Sequence, residues 1–162
     1  MIVVADASPL RYLVLIEAAD ILPALYGRVL TSPVVLAELS RPHTPDAVRQ
    51  WAATYPDWLQ LRRPAGPLYG FPATLGAGEC DAIALAEELL ADVLLIDDWA
   101  GRMEAQRRRV RVQGKLGLID LAARHGFIDL PAAIARLRQT NFRADEYLFQ
   151  LILDRDVERG KS

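Results

Sequence analysis

A few acidic residues stand where their surroundings are otherwise apolar. Asp6 follows Ile2-Val3-Val4-Ala5, and Asp97-Asp98 follow Val93-Leu94-Leu95-Ile96. Glu38 is the only charged residue from Pro33 to Leu39, and Asp81 the only one from Cys80 to Ala86. Taken singly, Asp6 or Asp97 reads as a turn former or helix cap, and Glu38 or Asp81 as half of a structural salt bridge to Arg11, Arg28 or Arg41. An ionised carboxylate out of water is costly unless it is paired or bound to a cation. One shared cation accounts for all of these acids together. Oxygen donors select a hard divalent ion, and magnesium in particular uses few carboxylates, with waters and phosphate oxygens completing its shell. Zinc lacks its usual donors, because His43 and His125 are far apart and Cys80 is alone. His125, before Gly126, reads as a helix-end residue.

Two positions offer a choice of acid. Glu79 and Asp81 are separated by about 200° around a helix, so only one of them faces a given ion. Glu79 sits in the first turn, where its charge complements the helix dipole, and Asp81 lies deeper in the apolar run. That favours Asp81. Asp97 and Asp98 alternate in direction if the strand continues through them.

The elements that must carry these acids follow from periodicity. Short β-branched runs at Ile2–Ala5, Arg28–Thr31, Val93–Ile96 and Val110–Val112 read as strands, with a further short one at Trp58–Leu61. Ser8-Pro9 and Ser32-Pro33 have the composition of helix starts. Helices are expected over Leu10–Ala18, Ile21–Tyr26, Pro33–Leu39, Asp46–Tyr55, Glu79–Leu90, Trp99–Arg109, Lys115–His125, Leu130–Gln139 and Ala144–Glu158. Seven Pro or Gly residues from Pro64 to Gly78 mark a loop. Strands alternating with helices imply an α/β fold with a mainly parallel central sheet, and such sheets bind ligands beyond the strands' carboxyl ends. Asp6, Asp97 and Asp98 belong there.

The 162 residues fit a single domain over 1–158 with a polar tail at 159–162. With 52% hydrophobic and 25% charged residues the chain is neither disordered nor a disulfide scaffold. One cysteine, no basic signal-like start and no apolar run near the roughly 18 residues of a membrane span point to a cytoplasmic protein. The net charge of −2 gives no global attraction to nucleic acid. Locally, however, Arg102, Arg107, Arg108, Arg109, Arg111 and Lys115 are opposed by Glu104 alone. This stretch is either a track for a phosphate backbone, a solvated helix face or a partner surface. Trp51, Tyr55 and Trp58 offer base stacking or, by their helical spacing, packing in a core or dimer.

The segments Val4-Ala5-Asp6-Ala7-Ser8-Pro9-Leu10, the helix with Glu38, Gly78-Glu79-Cys80-Asp81-Ala82-Ile83-Ala84-Leu85-Ala86, Leu94-Leu95-Ile96-Asp97-Asp98 with Gly101-Arg102, and Gly114-Lys115-Leu116-Gly117 resemble the PIN-domain ribonucleases. The likeness is greatest to a PIN-like subfamily related to the VapC-type toxins of prokaryotic toxin–antitoxin pairs. The resemblance implies a three-layer α/β/α domain in which Asp6, Glu38, Asp81 and Asp98 hold Mg2+ or Mn2+ and catalyse RNA hydrolysis. Glu79 and Asp97 take second rank, with Ser8 and Arg102 in support. Ser8 matches the small polar residue that helps position the first aspartate, and it equally suits a helix cap. Asp81 stands where the subfamily often has glutamate. Lys115 stands where a threonine often follows the glycine, which bears on substrate handling.

The function this predicts is a metal-dependent endoribonuclease, the toxin of a toxin–antitoxin pair. Acid-bound metal ions would activate water and clamp phosphate oxygens, while Arg107, Arg108, Arg109 and Lys115 would contact RNA. The resemblance also implies a cognate antitoxin and a homodimer. Tyr147–Leu153 would supply either core packing or a partner surface. Two other readings remain: a non-catalytic PIN-like module that binds nucleic acid or protein, and a phosphoryl-transfer domain with an aspartate nucleophile, whose companion motifs are not found.

Overall fold

The computed structural model describes residues 1–142 and 146–160. Among the described residues five strands form one sheet: β1 (Val3–Ala5), β2 (Val29–Thr31), β3 (Leu59–Leu61), β4 (Val93–Leu95) and β5 (Val112–Gln113). Every pairing is parallel and the order is β3-β2-β1-β4-β5. The chain therefore builds outward from β1 to β3, then restarts on the other side with β4. The crevice between the carboxyl ends of β1 and β4 is the switch point at which open α/β sheets place their ligands. Asp6 follows β1 and Asp97 lies just beyond β4, so both acids stand at it.

Alternation along the strands divides the core in two. Val3 and Ala5 face one layer, against Leu10 and Leu13 of α1 (Ala7–Leu15), Leu22 of α2 (Ile21–Tyr26), Val48 of α4 (Asp46–Ala53) and Leu118 of α7 (Lys115–Arg124). Ile134 of α8 (Leu130–Arg138) and Phe149 of α9 (Glu146–Gly160) complete that layer. Val4, Leu94 and Ile96 face the other, against Val35 of α3 (Pro33–Glu38), Ile83 of α5 (Ala77–Glu88) and Ala105 of α6 (Trp99–Arg107). This is the expected three-layer α/β/α arrangement with a parallel sheet.

Details differ from the expected boundaries. Ser32 caps α3 by accepting from the Val35 amide at 3.1 Å, but Ser8 does not cap α1. That helix starts at Ala7, with Asp6 at its N-cap two residues before Ser8, and the Ser8 hydroxyl points to Asp97 instead. Helix α5 also starts early, so Gly78 lies buried in its first turn rather than in the loop. Trp51 and Trp58 pack against each other and the core, their rings 6.1 Å apart. Along α9, Phe149 and Ile152 are buried while Tyr147 and Leu148 are exposed. Arg159 belongs to this helix and pairs with Asp120 and Asp156, rather than lying in a free tail. The expected helix start at Ala144 and the last residues, 161 and 162, lie outside the described residues.

Candidate metal centre

The centre begins at Asp6. It is held at the end of β1, where its amide donates to Leu95 O at 2.9 Å, and its side chain is only 4% exposed. Its Oδ1 is buried and has no hydrogen-bond partner among the described residues. Burial pushes the Asp6 carboxyl up to about 7, with Glu79, Glu38 and Asp97 adding repulsion and the Ala7 amide opposing it. A buried oxygen without a donor among the described residues, in the field of three further acids, has the electrostatics of a cation site.

Glu38 comes from the last turn of α3. The Gly78 amide donates to its Oε1 at 3.0 Å. A β-carbon on Gly78 would lie 2.5 Å from that oxygen, so the glycine makes a cradle that only a missing side chain leaves open. Arg41 stands at 3.9 Å, a loose contact at the rim.

Of the two acids on α5, Glu79 is the one whose charge acts on Asp6. Burial raises its pKa, and the Asp98 and Glu38 charges raise it further against the Gly76 amide. Asp81, the expected ligand, instead lines a separate groove with Pro33, Val34, Ala37 and Arg63. The two residues are two apart on a helix, about 200° around its axis, so they serve different sides of it.

A similar exchange occurs after β4. Asp97 is the acid that Asp6 senses. It accepts from Ser8 Oγ at 3.1 Å and from the Lys115 amide at 2.8 Å, and pairs with Lys115 Nζ at 2.8 Å. Asp98 is exposed and caps α6 through the Gly101 amide at 2.9 Å. It borders Glu79 rather than Asp6.

The expected basic track is largely committed to structure. Arg107 and Arg108 both bind the buried Glu104, whose pKa they pull down to about 2. Arg108 also donates to Tyr69 O and lies 3.8 Å from the centre of the Phe71 ring. Arg109 is exposed and closes α6 in the left-handed region, with φ 64°. Lys115 is 1% exposed, out of reach of a phosphate backbone. Arg102 lies beside the centre, its Nη1 2.6 Å from where a β-carbon on Gly114 would stand. A groove of about 490 Å³ opens there, lined by Asp97, Arg102, Gly114 and Trp99 among others. Trp99 is 74% exposed. Sequence reasoning passed over Trp99 and Gly78. The available signals were a large aromatic directly after Asp98 and a glycine directly before Glu79.

Among the described residues no three His, Cys, Asp or Glu side chains are grouped closely enough to hold a metal ion by themselves. Magnesium does not require three, because water and substrate oxygens complete its shell. The orphaned Asp6 oxygen and the all-carboxylate donors suit such an ion. No helix among the described residues is long and apolar enough to cross a membrane.

A family model described as DUF3368: PIN domain matches residues 2–158. No curated protein and no solved structure matches the chain. With nearly the whole length matched and a parallel α/β/α fold that places acids at its switch point, the chain belongs to the PIN-domain family and has a nuclease-type fold.

Proposed function

We propose that this protein is a magnesium- or manganese-dependent endoribonuclease. One observation carries the reading: the Oδ1 of Asp6 is buried and donor-free among the described residues, and its carboxyl lies in the field of the Glu79, Glu38 and Asp97 charges. Asp6 would hold the ion, with Glu38 and Glu79 beside it. When bound, the ion lowers the pKa of a coordinated water and stabilises charge on phosphate oxygens.

The chain's own groups do the rest. Gly78 fixes one oxygen of Glu38 and leaves the other for the centre. Ser8 and Lys115 fix Asp97. Arg102 would take an RNA phosphate in the adjoining groove, and Trp99 would stack an unpaired base. Asp81 and Asp98 stand outside this assignment, Asp98 keeping its role as the cap of α6. By family resemblance the chain would act as the toxin of a toxin–antitoxin pair in the cytoplasm. A cognate antitoxin would cover the acidic edge, and the exposed Tyr147 and Leu148 would suit a homodimer contact.

The test is cleavage of an RNA oligonucleotide by the purified chain with Mg2+ or Mn2+, against EDTA and against folded Asp6→Asn. Metal-dependent internal cleavage lost in the variant supports the reading, and equal cleavage by both proteins refutes it. The second reading, a non-catalytic binding module, draws on the lack of a three-acid metal group among the described residues. Calorimetry showing RNA binding but no Mn2+ binding would favour it.

A further inference from the structure

Lys115 is the first residue of α7, yet its side chain is among the most completely buried of the described residues. Its ammonium lies 2.8 Å from Asp97 Oδ2. The centre of the Phe142 ring is 3.7 Å from Nζ and that of Tyr12 is 4.5 Å away. These rings close the ammonium off from water while favouring its charge. A lysine in such a cage cannot swing out to solvent as surface lysines do.

The consequence falls on Asp97. Ser8 Oγ and Lys115 Nζ donate to its Oδ2, and the Lys115 amide donates to its Oδ1. A carboxylate has about four lone-pair sites, and here three donors already occupy it. A divalent ion attracted to Asp97 would also face a fixed positive charge within a few ångströms. Asp6, by contrast, is buried with an oxygen that no donor among the described residues touches. The two acids that flank the β1–β4 crevice have therefore been given opposite roles.

We propose that Lys115 is a built-in cation that neutralises Asp97 and confines the centre to one divalent ion, held at Asp6. This rests on the reading of the Asp6 cluster as a metal site. Where two-metal nucleases set ions roughly 3.5–4 Å apart, this chain supplies the second positive charge from its own sequence. Lys115 is thus a positioning residue. It holds Asp97 and excludes a second ion, without touching the substrate.

The experiment counts Mn2+ bound per full-length chain by equilibrium dialysis and reads the ions' electron paramagnetic resonance. Wild type should take up one magnetically isolated Mn2+. Asp6→Asn should lose it, and Asp97→Asn should keep it. Lys115→Met, which matches the stem and suits the aromatic cage, should admit a second Mn2+ coupled to the first, as should Lys115→Thr. Two ions on wild type, or loss of the single ion in folded Asp97→Asn, would overturn the proposal. So would a single ion in both Lys115 variants when circular dichroism shows them folded. If neither Lys115 variant folds, the wild-type count and Asp97→Asn decide. Wild type that binds no Mn2+ removes the metal reading itself, and this proposal with it.

Discussion

Gly78 and Glu38 approach so closely that no side chain fits between them. The glycine amide donates to Glu38 Oε1 at 3.0 Å, and a β-carbon there would stand 2.5 Å from the same oxygen. Gly78→Ala must push the carboxylate away, and the end of a glutamate side chain yields more easily than backbone. The variant should keep its fold, with stability changed by about 1 kcal/mol or less, and should lose most Mn2+-dependent cleavage. Thermal unfolding and RNA cleavage measured together check this.

Asp81 and Glu79 offer a sharp contrast on one helix. Asp81 lines the groove beside Pro33 and Arg63, and Glu79 borders Glu38 and Asp98. Asp81→Asn should retain Mn2+ binding and cleavage, whereas Glu79→Gln should weaken both, by about 10- to 100-fold as for other groups that support a metal. The opposite ranking in calorimetry and cleavage assays would restore Asp81 to the site.

The metal-free protein should lose stability as pH rises. In the folded chain the Asp6 carboxyl ionises near pH 7, against an ordinary value of 3.8. Folding therefore favours the protonated form, and its contribution is complete below about pH 3.8 and disappears as pH rises through 7. The expected slope is roughly 1.4 kcal/mol per pH unit across that window. Urea unfolding in EDTA at several pH values measures it. Asp6→Asn should flatten the dependence, and saturating Mn2+ should restore wild-type stability at pH 7.5.

Glu104 should show the opposite sign. Arg107 and Arg108 lower its carboxyl from 4.5 to about 2, so its stabilising contribution is present above about pH 4.5 and is lost as pH falls toward 2. Glu104→Gln should destabilise the protein at pH 7, with the deficit closing in acid. Thermal unfolding of both proteins from pH 2 to 7 tests this.

Trp99 provides a direct report on single-stranded RNA. Trp51 and Trp58 are paired and half-buried, while Trp99 is 74% exposed on the groove. In EDTA, a short RNA oligonucleotide should quench the intrinsic fluorescence, and Trp99→Phe should abolish the quench. Removing the stack with Trp99→Ala should cost about 1–3 kcal/mol of binding. A quench that persists in Trp99→Phe would place RNA elsewhere.

The sheet was legible in the chain's own pattern. Val3 to Ala5 and Val93 to Leu95 are apolar throughout because parallel strands are covered on both faces. Acids directly after such runs must emerge at the carboxyl edge of the sheet. The place of Asp6 at that edge therefore follows from the sequence pattern, as do the helices that separate the strands. The choice within each acidic pair lay beyond local rules. Glu79 or Asp81, and Asp97 or Asp98, depend on the rotation of α5 against α3 and on where the chain leaves β4. Both are set by packing between segments distant in sequence. The burial of Lys115 is the clearest case: its neighbours in the chain gave no sign of it. It became an interior cation only because Tyr12, Asp97 and Phe142 converge on it from three other parts of the chain.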